Sequence, residues 1–477
     1  MKNYISFLGA AGSVSGSRHL LNINGNQYLV DCGLFQGGRK QKQQNWNPFP
    51  SPPEKIDAIF ITHAHIDHTG YLPRLVREGF NNPIYASEAT CSLLEILLPD
   101  SAYLQEQDAV YINRKGYSSH KPALPLYTKE DADRALSLLH PIPFRTPLDL
   151  NDLKVTWWPA GHILGSSWLE IEIPSSEGRK TMIFSGDLGR YGQAVMADPY
   201  PAWQADLLVI ESTYGGRLHD ETSIEDVLEK VISRVTKEKG VLLIPAFAVG
   251  RTQQVLYHIR RLQKQRRISD LPVYIDSPMA VDASHIYCQF GDDHNLDINL
   301  LMDEQECPLR CEDTHFVSSV GESKRLNQRS GPAVIISASG MCTGGRILHH
   351  LKWRLPDERN TVLFVGYQSE SSRGRLLLGG VDQIKIHGQN YPVRARIVQV
   401  DALSGHGDEN EILRWLETFQ HPPIRTFIVH GEIDSAKALQ QAIQKKFSWK
   451  TTIPSLGDQW ALDEISPDVK VYKQITN

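Results

Sequence analysis

Short apolar runs recur along this chain, and several of them end beside a residue that can bind a metal ion. The runs at residues 58–61, 155–158, 181–184 and 207–210 are rich in β-branched and aromatic side chains, which predicts buried strands. The metal-binding residue types that follow these four runs are His63, His65, Asp67 and His68 after the first, His162 after the second, Asp187 after the third and Glu211 after the fourth. Because strand ends hold side chains on a rigid base, the pattern predicts one shared rim at which metal ligands converge.

Beyond residue 222 the pattern changes to alternating helices and strands. Its predicted elements are helices at 224–237 and 252–265 and strands at 240–245, 272–275, 333–337 and 361–365. Such alternation is typical of a separate domain built on a parallel sheet. Elements predicted outside this domain include a first strand near the N-terminus, a hairpin over residues 18–30, helices from 71, at 89–98 and at 129–139, a helix after Asp408, and a strand over 425–432 that carries His430.

The stretch Thr62–Gly70 holds four metal-binding side chains within six positions. His63 and His65 are two residues apart, so both point to the same side of an extended segment. Asp67 and His68 follow as the chain turns into a helix. Imidazole suits zinc, and a mixed histidine and carboxylate set suits a hydrolytic metal. The alternative, histidines gathered by chance near a helix start with Asp67 as its N-cap, explains one or two of these residues but not the whole set.

Seven side chains are too many for one tetrahedral site but fit two ions that share a carboxylate. The predicted arrangement is His63, His65 and His162 on one ion, Asp67, His68 and His430 on the other, and Asp187 as the bridge. The predicted cofactors are two zinc ions, with manganese as the alternative. A hydroxide held between two zinc ions would be a strong nucleophile at neutral pH.

Three further residues have predicted supporting roles. Asp31 ends a strand and is a candidate partner of a ligand histidine; a turn-forming aspartate before Gly33 is the alternative. His406 lies on a glycine-flanked turn and is a candidate general acid, with a turn histidine of no catalytic role as the alternative. Glu211 could orient His406 and raise its pKa. The predicted catalytic residues are thus Asp67, Asp187, Glu211 and His406.

Composition sets limits on class and location. A length of 477 residues predicts two or three domains at about 150 residues each. No apolar run of about 18 residues occurs, so no transmembrane helix is expected. Six cysteines are too sparse for a disulfide framework and fit a reducing cytoplasm.

The net charge of −5 does not by itself indicate a nucleic-acid partner, but basic residues cluster locally. One cluster lies at residues 251–267 and another at 324–354. Such patches can hold a phosphate backbone, although a solvated helix face explains the first cluster equally well. The Gly/Ser-rich turn at 338–346 offers backbone N–H groups to a phosphate, yet it lacks the lysine of a P-loop, so nucleotide hydrolysis is not expected.

Together these motifs resemble the metallo-β-lactamase superfamily, and the whole chain resembles its β-CASP branch of nucleic-acid-processing nucleases. The residues that match the motifs of this branch are Asp31, His63, His65, Asp67, His68, His162, Asp187, Glu211, His406 and His430. The resemblance implies an α/β fold, an αββα sandwich with an inserted β-CASP domain. The predicted boundaries are 1–208 and 394–477 for the two parts of the sandwich and 209–393 for the insert.

The same resemblance implies the substrate. A histidine at the position of His430 is typical of RNA-processing members, whereas DNA-repair members usually carry an apolar residue there. The chain resembles bacterial homologues of the mRNA 3′-end cleavage endonuclease, with Arg251, Ser337, Ser339 and Arg346 as candidate RNA contacts. Endonucleolytic and 5′-exonucleolytic cleavage both stay open, and the sequence allows a homodimer.

Three alternatives stay open beside a zinc-dependent ribonuclease. They are a DNA nuclease, a hydrolase of a small ester or thioester, and an inactive RNA-binding scaffold. The large insert and the additional pair Glu211 and His406 argue against the small-molecule hydrolase, and the complete ligand set argues against the scaffold.

Overall fold

A computed structural model of the chain describes residues 3–116, 122–175, 178–220, 222–303, 307–366, 368 and 372–462. These residues form two compact units. The first is built from the segment that ends at Tyr191, from Asp198–Leu218 and from the segment that begins at His406, and the second from Gly192–Ala197 and His219–Gly405. Among the described residues, no helix combines the length and the apolar character needed to cross a membrane.

The strands are, in chain order, β1 (Tyr4–Phe7), β2 (His19–Ile23), β3 (Asn26–Val30), β4 (Ile56–Phe60), β5 (Ile84–Ser87), β6 (Leu139–Ile142), β7 (Leu148–Leu150), β8 (Leu153–Pro159), β9 (Ser167–Ser175), β10 (Gly178–Phe184), β11 (Leu207–Glu211), β12 (Val241–Pro245), β13 (Val273–Ile275), β14 (Thr314–Phe316), β15 (Ala333–Ser337), β16 (Thr361–Phe364), β17 (Gln383–Ile386), β18 (Gln389–Pro392), β19 (Arg396–Gln399), β20 (Arg425–Val429), β21 (Thr451–Thr452) and β22 (Gln459–Ala461).

The α-helices are α1 (Arg39–Gln43), α2 (Ile66–Thr69), α3 (Leu72–Arg77), α4 (Glu88–Lys115), α5 (Lys129–Leu136), α6 (Ile224–Glu238), α7 (Arg251–Lys264), α8 (Pro278–Tyr287), α9 (Ile298–Met302), α10 (Val320–Gln328), α11 (Ile347–Arg354), α12 (Arg373–Leu378), α13 (Glu409–Leu416) and α14 (Ile433–Phe447). Short 3₁₀ segments occur at Gln44–Trp46, Pro53–Lys55 and Gly291–Asp293.

The first unit is a sandwich of two seven-stranded sheets with helices on its outer faces. The strand orders are β22-β1-β2-β3-β4-β5-β6 and β21-β20-β11-β10-β9-β8-β7. Side chains of both sheets form the apolar core between them, where the rings of Phe60 and Trp157 meet edge to face at 6.0 Å. On the outside of the second sheet, α13 and α14 bury apolar residues such as Trp415 and Leu439. The predicted αββα sandwich is confirmed.

The strand order explains why the candidate ligands meet. β10, β11 and β20 are neighbouring parallel strands, so Asp187, Glu211 and His430 lie at or just after strand ends at the same edge of the sheet. β8 runs in the same direction because β9 is antiparallel to both β8 and β10, and this brings His162 to that edge. The indole N–H of Trp157 donates to the carbonyl of Ile61 at 3.0 Å, which ties β8 to the end of the strand that precedes His63.

The second unit contains a six-stranded sheet of order β14-β13-β15-β12-β16-β19 and the hairpin β17-β18. All pairings in the larger sheet are parallel, as the alternation of helices and strands predicts. The predicted domain boundaries differ from the observed units. The boundary at 208/209 falls within β11, and the boundary at 393/394 precedes β19, which pairs with β16 in this sheet.

Two helices differ in length from their predictions. The helix predicted at 89–98 continues as α4 to Lys115 and contains Pro99, and it ends at Gly116, whose φ of 68° suits glycine. Tertiary burial of its first half carries the helix past the proline. Helix α5 ends at Leu136, short of the predicted 139, because Leu139 begins β6 and pairs with Ile84 of β5.

Candidate active site

The local fold of the histidine motif separates its ligands into two directions. β4 ends at Phe60, the chain bends at Thr62, and His65, with a non-helical φ of −58° and ψ of 145°, is the N-cap residue of α2. The carbonyl of His65 accepts from the N–H groups of His68 and Thr69, which turns the chain into the helix. His63 and His65 therefore lie before the helix, whereas Asp67 and His68 lie in the first turn of α2.

His63, His65, His162 and Asp187 form the first group of candidate ligands, with one donor atom from each within 4.8 Å of the others. The Nδ1 atom of His65 lies 3.2 Å from the Nε2 atoms of both His63 and His162. The Oδ2 atom of Asp187 lies 3.5 Å from Nε2 of His63 and 3.6 Å from Nε2 of His162. The structure thus brings together the four residues that the sequence assigns to one ion.

Asp67, His68 and His430 form the second group, again with donor atoms within 4.8 Å of one another. The Nε2 atoms of His68 and His430 are 3.1 Å apart, and Nε2 of His430 is 3.4 Å from Oδ2 of Asp67. The Oδ1 atom of Asp187 lies 3.4 Å from Nε2 of His68. Asp187 therefore turns one oxygen toward each group.

The chemistry of Asp187 fits a divalent cation. Its side chain is 2% exposed, and Oδ1 accepts no hydrogen bond from any described residue. A buried carboxylate oxygen without a donor is costly, and binding to a cation removes that cost. Burial alone would raise the pKa of Asp187, but the charges of His430, His68, His63 and His406 lower it well below its usual range. A metal ion favours the same ionised state.

Outer hydrogen bonds hold three of the ligand rings. Asp31 accepts from Nδ1 of His68 at 2.7 Å, and the hydroxyl of Thr62 lies 3.1 Å from Nδ1 of His63. The hydroxyl of Thr213 lies 3.1 Å from Nδ1 of His430. Such contacts fix the orientation of a ligand histidine and raise its basicity. The structure places Asp31 beside a ligand, whereas the sequence interpretation did not identify Thr62 or Thr213. Thr213 and His430 are 217 positions apart, so no local signal connects them.

Gly33 lies directly against the backbone of the histidine motif Thr62–Gly70, where a side chain has no room. A methyl group at Gly33 would lie 1.6 Å from the carbonyl oxygen of Asp67 and 2.8 Å from the backbone nitrogen of His68. We expect Gly33→Ala to displace the first turn of α2, to lower the free energy of unfolding by about 1–3 kcal/mol and to reduce metal content. Thermal unfolding and elemental analysis measure both effects.

Gly38→Ala is the matched control for this substitution, because the nearest heavy atom to its added methyl group would be 3.8 Å away. A Gly33→Ala protein with the metal content and melting temperature of the parent would contradict the predicted role of this close approach.

His406 and Glu211 lie together beside the ligand groups. Nδ1 of His406 donates to Oε1 of Glu211 at 3.1 Å, and it lies 3.8 Å from Oδ2 of Asp187. Glu211 is fully buried and also accepts from the backbone N–H groups of Leu188 and Thr213. Burial lowers the pKa of His406, but the charges of Glu211 and Asp187 and the hydrogen bond to Glu211 raise it to about 9. A histidine that is 20% exposed and carries a proton can donate it to a bound substrate.

Glu211 also has a carboxylate oxygen within 4.8 Å of donor atoms of Asp187 and His430. Its hydrogen bonds to two backbone N–H groups and to His406 already occupy both of its oxygens. These contacts distinguish it from Asp187 and agree with the prediction that it orients His406.

Acidic side chains of the same unit balance much of the basic cluster at residues 251–267. Arg267 contacts Glu225, Asp226 and Glu229 of α6, and Arg261 lies 3.4 Å from Glu225. This arrangement favours the interpretation of a solvated helix face over a phosphate-binding surface for these residues.

The four candidate RNA contacts differ in their surroundings. Ser337 is 1% exposed, and its hydroxyl donates to the carbonyl of Asp276, so it does not belong among the proposed contacts. The guanidinium of Arg346 donates to Asp276 and to the carbonyls of Val317 and Ser318. Arg346 therefore has a structural role that the sequence interpretation missed.

Arg251 and Ser339 follow neighbouring strands of the parallel sheet. Pro245 at the end of β12 is in register with Ser337 at the end of β15, and the N–H of Ala246 donates to the carbonyl of Ser337. The loop that leads to Arg251, the first residue of α7, and the loop that carries Ser339 therefore leave the same edge of the sheet. The hydroxyl of Ser339 accepts from the backbone N–H group of Thr343 at 3.1 Å.

The sandwich and its converging ligands define a metal-dependent hydrolase. Three family models match the chain: "Metallo-beta-lactamase superfamily" at residues 15–243, "Beta-Casp domain" at 252–377, and "Zn-dependent metallo-hydrolase RNA specificity domain" at 390–454. The chain is 36% identical to Ribonuclease TTHA0252 of Thermus thermophilus over 433 residues, which cover 90% of this chain and 94% of that protein.

Other relatives carry a different name. The chain is 28% identical to Transcription termination factor FttA of Methanocaldococcus jannaschii and 30% identical to that of Methanosarcina mazei, in both cases over 94% of this chain and 70% of the relative. A solved structure, a protein of unknown function from Enterococcus faecalis, matches the fold with a TM-score of 0.54 at 13% identity, over 97% of this chain and 100% of the other. The chain therefore belongs to the β-CASP ribonuclease family of the metallo-β-lactamase superfamily.

Proposed function

We propose that this protein is a zinc-dependent ribonuclease that hydrolyses phosphodiester bonds of single-stranded RNA and leaves a 5′-phosphate and a 3′-hydroxyl. The observation that carries the proposal is the convergence of two ligand groups on Asp187, with His406 3.8 Å from the same carboxylate. The RNA specificity domain and the ribonuclease relative support RNA as the substrate.

Two zinc ions are the proposed cofactors, with manganese as the alternative. His63, His65 and His162 would hold one ion, Asp67, His68 and His430 the other, and Asp187 both. When bound, such ions lower the pKa of water and stabilise the negative charge that develops on the phosphate. The histidine-rich donor set supports zinc, since imidazole and carboxylate are both zinc ligands.

The chain's own residues would orient the ligand histidines and protonate the leaving oxygen. Asp31, Thr62 and Thr213 hold the ligand rings through the hydrogen bonds described above. His406 is the proposed general acid and would donate a proton to the 3′-oxygen as the P–O bond breaks. Glu211 is a positioning residue, because it accepts from Nδ1 of His406 and thereby orients the imidazole ring.

The loops after β12 and β15 are the proposed RNA-backbone contacts in the second unit, through Arg251 and Ser339. Their common sheet edge supports this assignment, because backbone N–H groups at the ends of parallel strands suit phosphate oxygens. Arg251 would add a positive charge.

Incubation of 5′-labelled and 3′-labelled single-stranded RNA with the metal-loaded protein tests the proposal. We expect cleavage that stops when a chelator is added, and comparison of the two product ladders distinguishes endonucleolytic from 5′-exonucleolytic action. A metal-loaded protein that left RNA intact would overturn the proposal. Equal cleavage of single-stranded DNA would overturn the assignment of RNA as the preferred substrate.

His430→Ala tests the second ligand group. We expect metal content to fall from about two to about one ion per chain and the cleavage rate to fall by more than about 100-fold, since even outer partners of a ligand change metal affinity by roughly 10- to 100-fold. Elemental analysis after gel filtration and single-turnover cleavage measure the two effects. His421→Ala, at an exposed histidine of the same unit, is the control. Unchanged metal content in His430→Ala would contradict its role as a ligand.

A further inference from the structure

The second half of α4 exposes large apolar side chains to solvent. Tyr103, Leu104, Val110 and Tyr111 are 55%, 52%, 60% and 48% exposed. At about 100° per residue these four side chains share one face of the helix. The buried residues Ala102 and Ala109 lie on the opposite face. The helix thus has one face packed on its own unit and a second apolar face that no described residue covers, which marks an interaction site.

The exposed face is symmetric about Gln107. Leu104 and Val110 lie three positions before and after it, and Tyr103 and Tyr111 lie four positions before and after it. Spacings of three and four residues keep side chains on one face of a helix, as in the seam of a coiled coil. A face with this symmetry matches a second copy of itself that runs in the opposite direction.

The charges at the two ends of this face are complementary. Asp100 lies seven positions before Gln107 and Arg114 seven positions after it, on the same face. Neither side chain makes a hydrogen bond or an ion pair with any described residue. Burial raises the pKa of Asp100, and no positive charge of the described residues offsets that effect. An antiparallel copy would supply an oppositely charged partner at both ends.

We propose that a second copy of this chain docks antiparallel on the α4 face about a twofold axis at Gln107. Leu104 then packs on the partner's Val110, Tyr103 on the partner's Tyr111, and Asp100 pairs with the partner's Arg114. Each contact occurs twice because the interface is isologous. Asp100, Glu106 and Asp108 give this part of the helix an acidic character that disfavours an RNA occupant.

Sedimentation velocity of the full chain over a concentration series tests the proposal. We expect a dimer for the parent and a shift to monomer in Leu104→Asp, with the dissociation constant raised by at least about tenfold because a charge would be buried in the apolar contact. Leu456→Asp is the matched control, since Leu456 is 53% exposed in the same unit. A parent that stays monomeric, or a dimer that Leu104→Asp leaves intact, would overturn the proposal.

A charge exchange tests the direction of the helices. Arg114→Asp sets like charges against each other at both ends and should weaken the dimer, and Asp100→Arg together with Arg114→Asp should restore it. Failure of the double variant to restore the dimer, while it melts at the parent's temperature, would reject the antiparallel arrangement. Because α4 supplies no candidate ligand, RNA cleavage at saturating metal is expected to stay unchanged in Leu104→Asp, which separates this test from that of the proposed function.

Discussion

Asp187→Asn is expected to cause the largest loss of activity of any single substitution considered, about 10⁴-fold or more, which corresponds to about 5.5 kcal/mol of transition-state stabilisation. The reason is geometric, because one oxygen of Asp187 faces His63 and His162 while the other faces His68. An amide of the same shape has only one oxygen and no charge. It would be a poor bridge between two cations that repel each other.

Elemental analysis and single-turnover cleavage check this expectation together. We expect Asp187→Asn to retain no more than about one ion per chain, since each group would lose its shared anionic ligand. Asp149→Asn, at an exposed aspartate of β7 in the same unit, controls for the change of charge. A fully active Asp187→Asn protein with two bound ions would contradict the bridging role and, with it, the proposed two-metal site.

His406→Ala is expected to lower the cleavage rate by about 10²- to 10⁴-fold while both metal ions stay bound. His406 contacts Glu211 and lies near Asp187, but its removal leaves the two ligand groups complete. The loss should therefore concern protonation of the leaving oxygen. It should appear in the rate of the chemical step and not in metal content.

A substrate with sulfur in place of the 3′-bridging oxygen makes this test specific. A thiolate leaves without protonation, so we expect the His406→Ala protein to cleave this substrate within about tenfold of the parent. His430→Ala is the matched comparison and should gain no such rescue, because it lacks a proposed metal ligand. An equal defect of His406→Ala on both substrates would remove His406 from the role of general acid.

Glu211→Gln should give a smaller defect than His406→Ala. The amide oxygen can still accept from the N–H of Leu188, although the N–H of Thr213 loses its acceptor, and the negative charge that raises the pKa of His406 is lost. The rate should therefore fall most at high pH, where His406 of the variant would have lost its proton. A rate profile with the parent's pH dependence would argue against Glu211 as the positioning residue.

Much of the fold followed from local patterns. The apolar runs before His63, His162 and Asp187 proved to be β4, β8 and β10, because β-branched and aromatic side chains pack well on a pleated surface. Helices α6 and α7 began within one residue of their predicted starts. The elements that were missed or shortened, such as β6 and the extension of α4, depend on distant packing partners.

The candidate site likewise combines features that local spacing predicted with features that depend on residues far apart in the chain. The spacing of His63, His65, Asp67 and His68 was enough to predict two directions of ligand presentation, because side-chain direction follows from backbone conformation. The roles of Thr213 and Arg346 were not predictable. Thr213 reaches His430 across 217 residues, and Arg346 is held by Asp276 across 70 residues.

By itself, the sequence determined the kind of chemistry and the local elements that carry it, since periodicity, caps and ligand spacing act over a few residues. The tertiary structure decided which distant side chains share a site. Asp187 joins the two ligand groups only because β10, β11 and β20 lie parallel and in register, and burial of the whole sandwich sets that order. The same structure decided which arginine side chains are already paired with carboxylates. It also decided which face of α4 stays exposed, because exposure is a property of the packed chain.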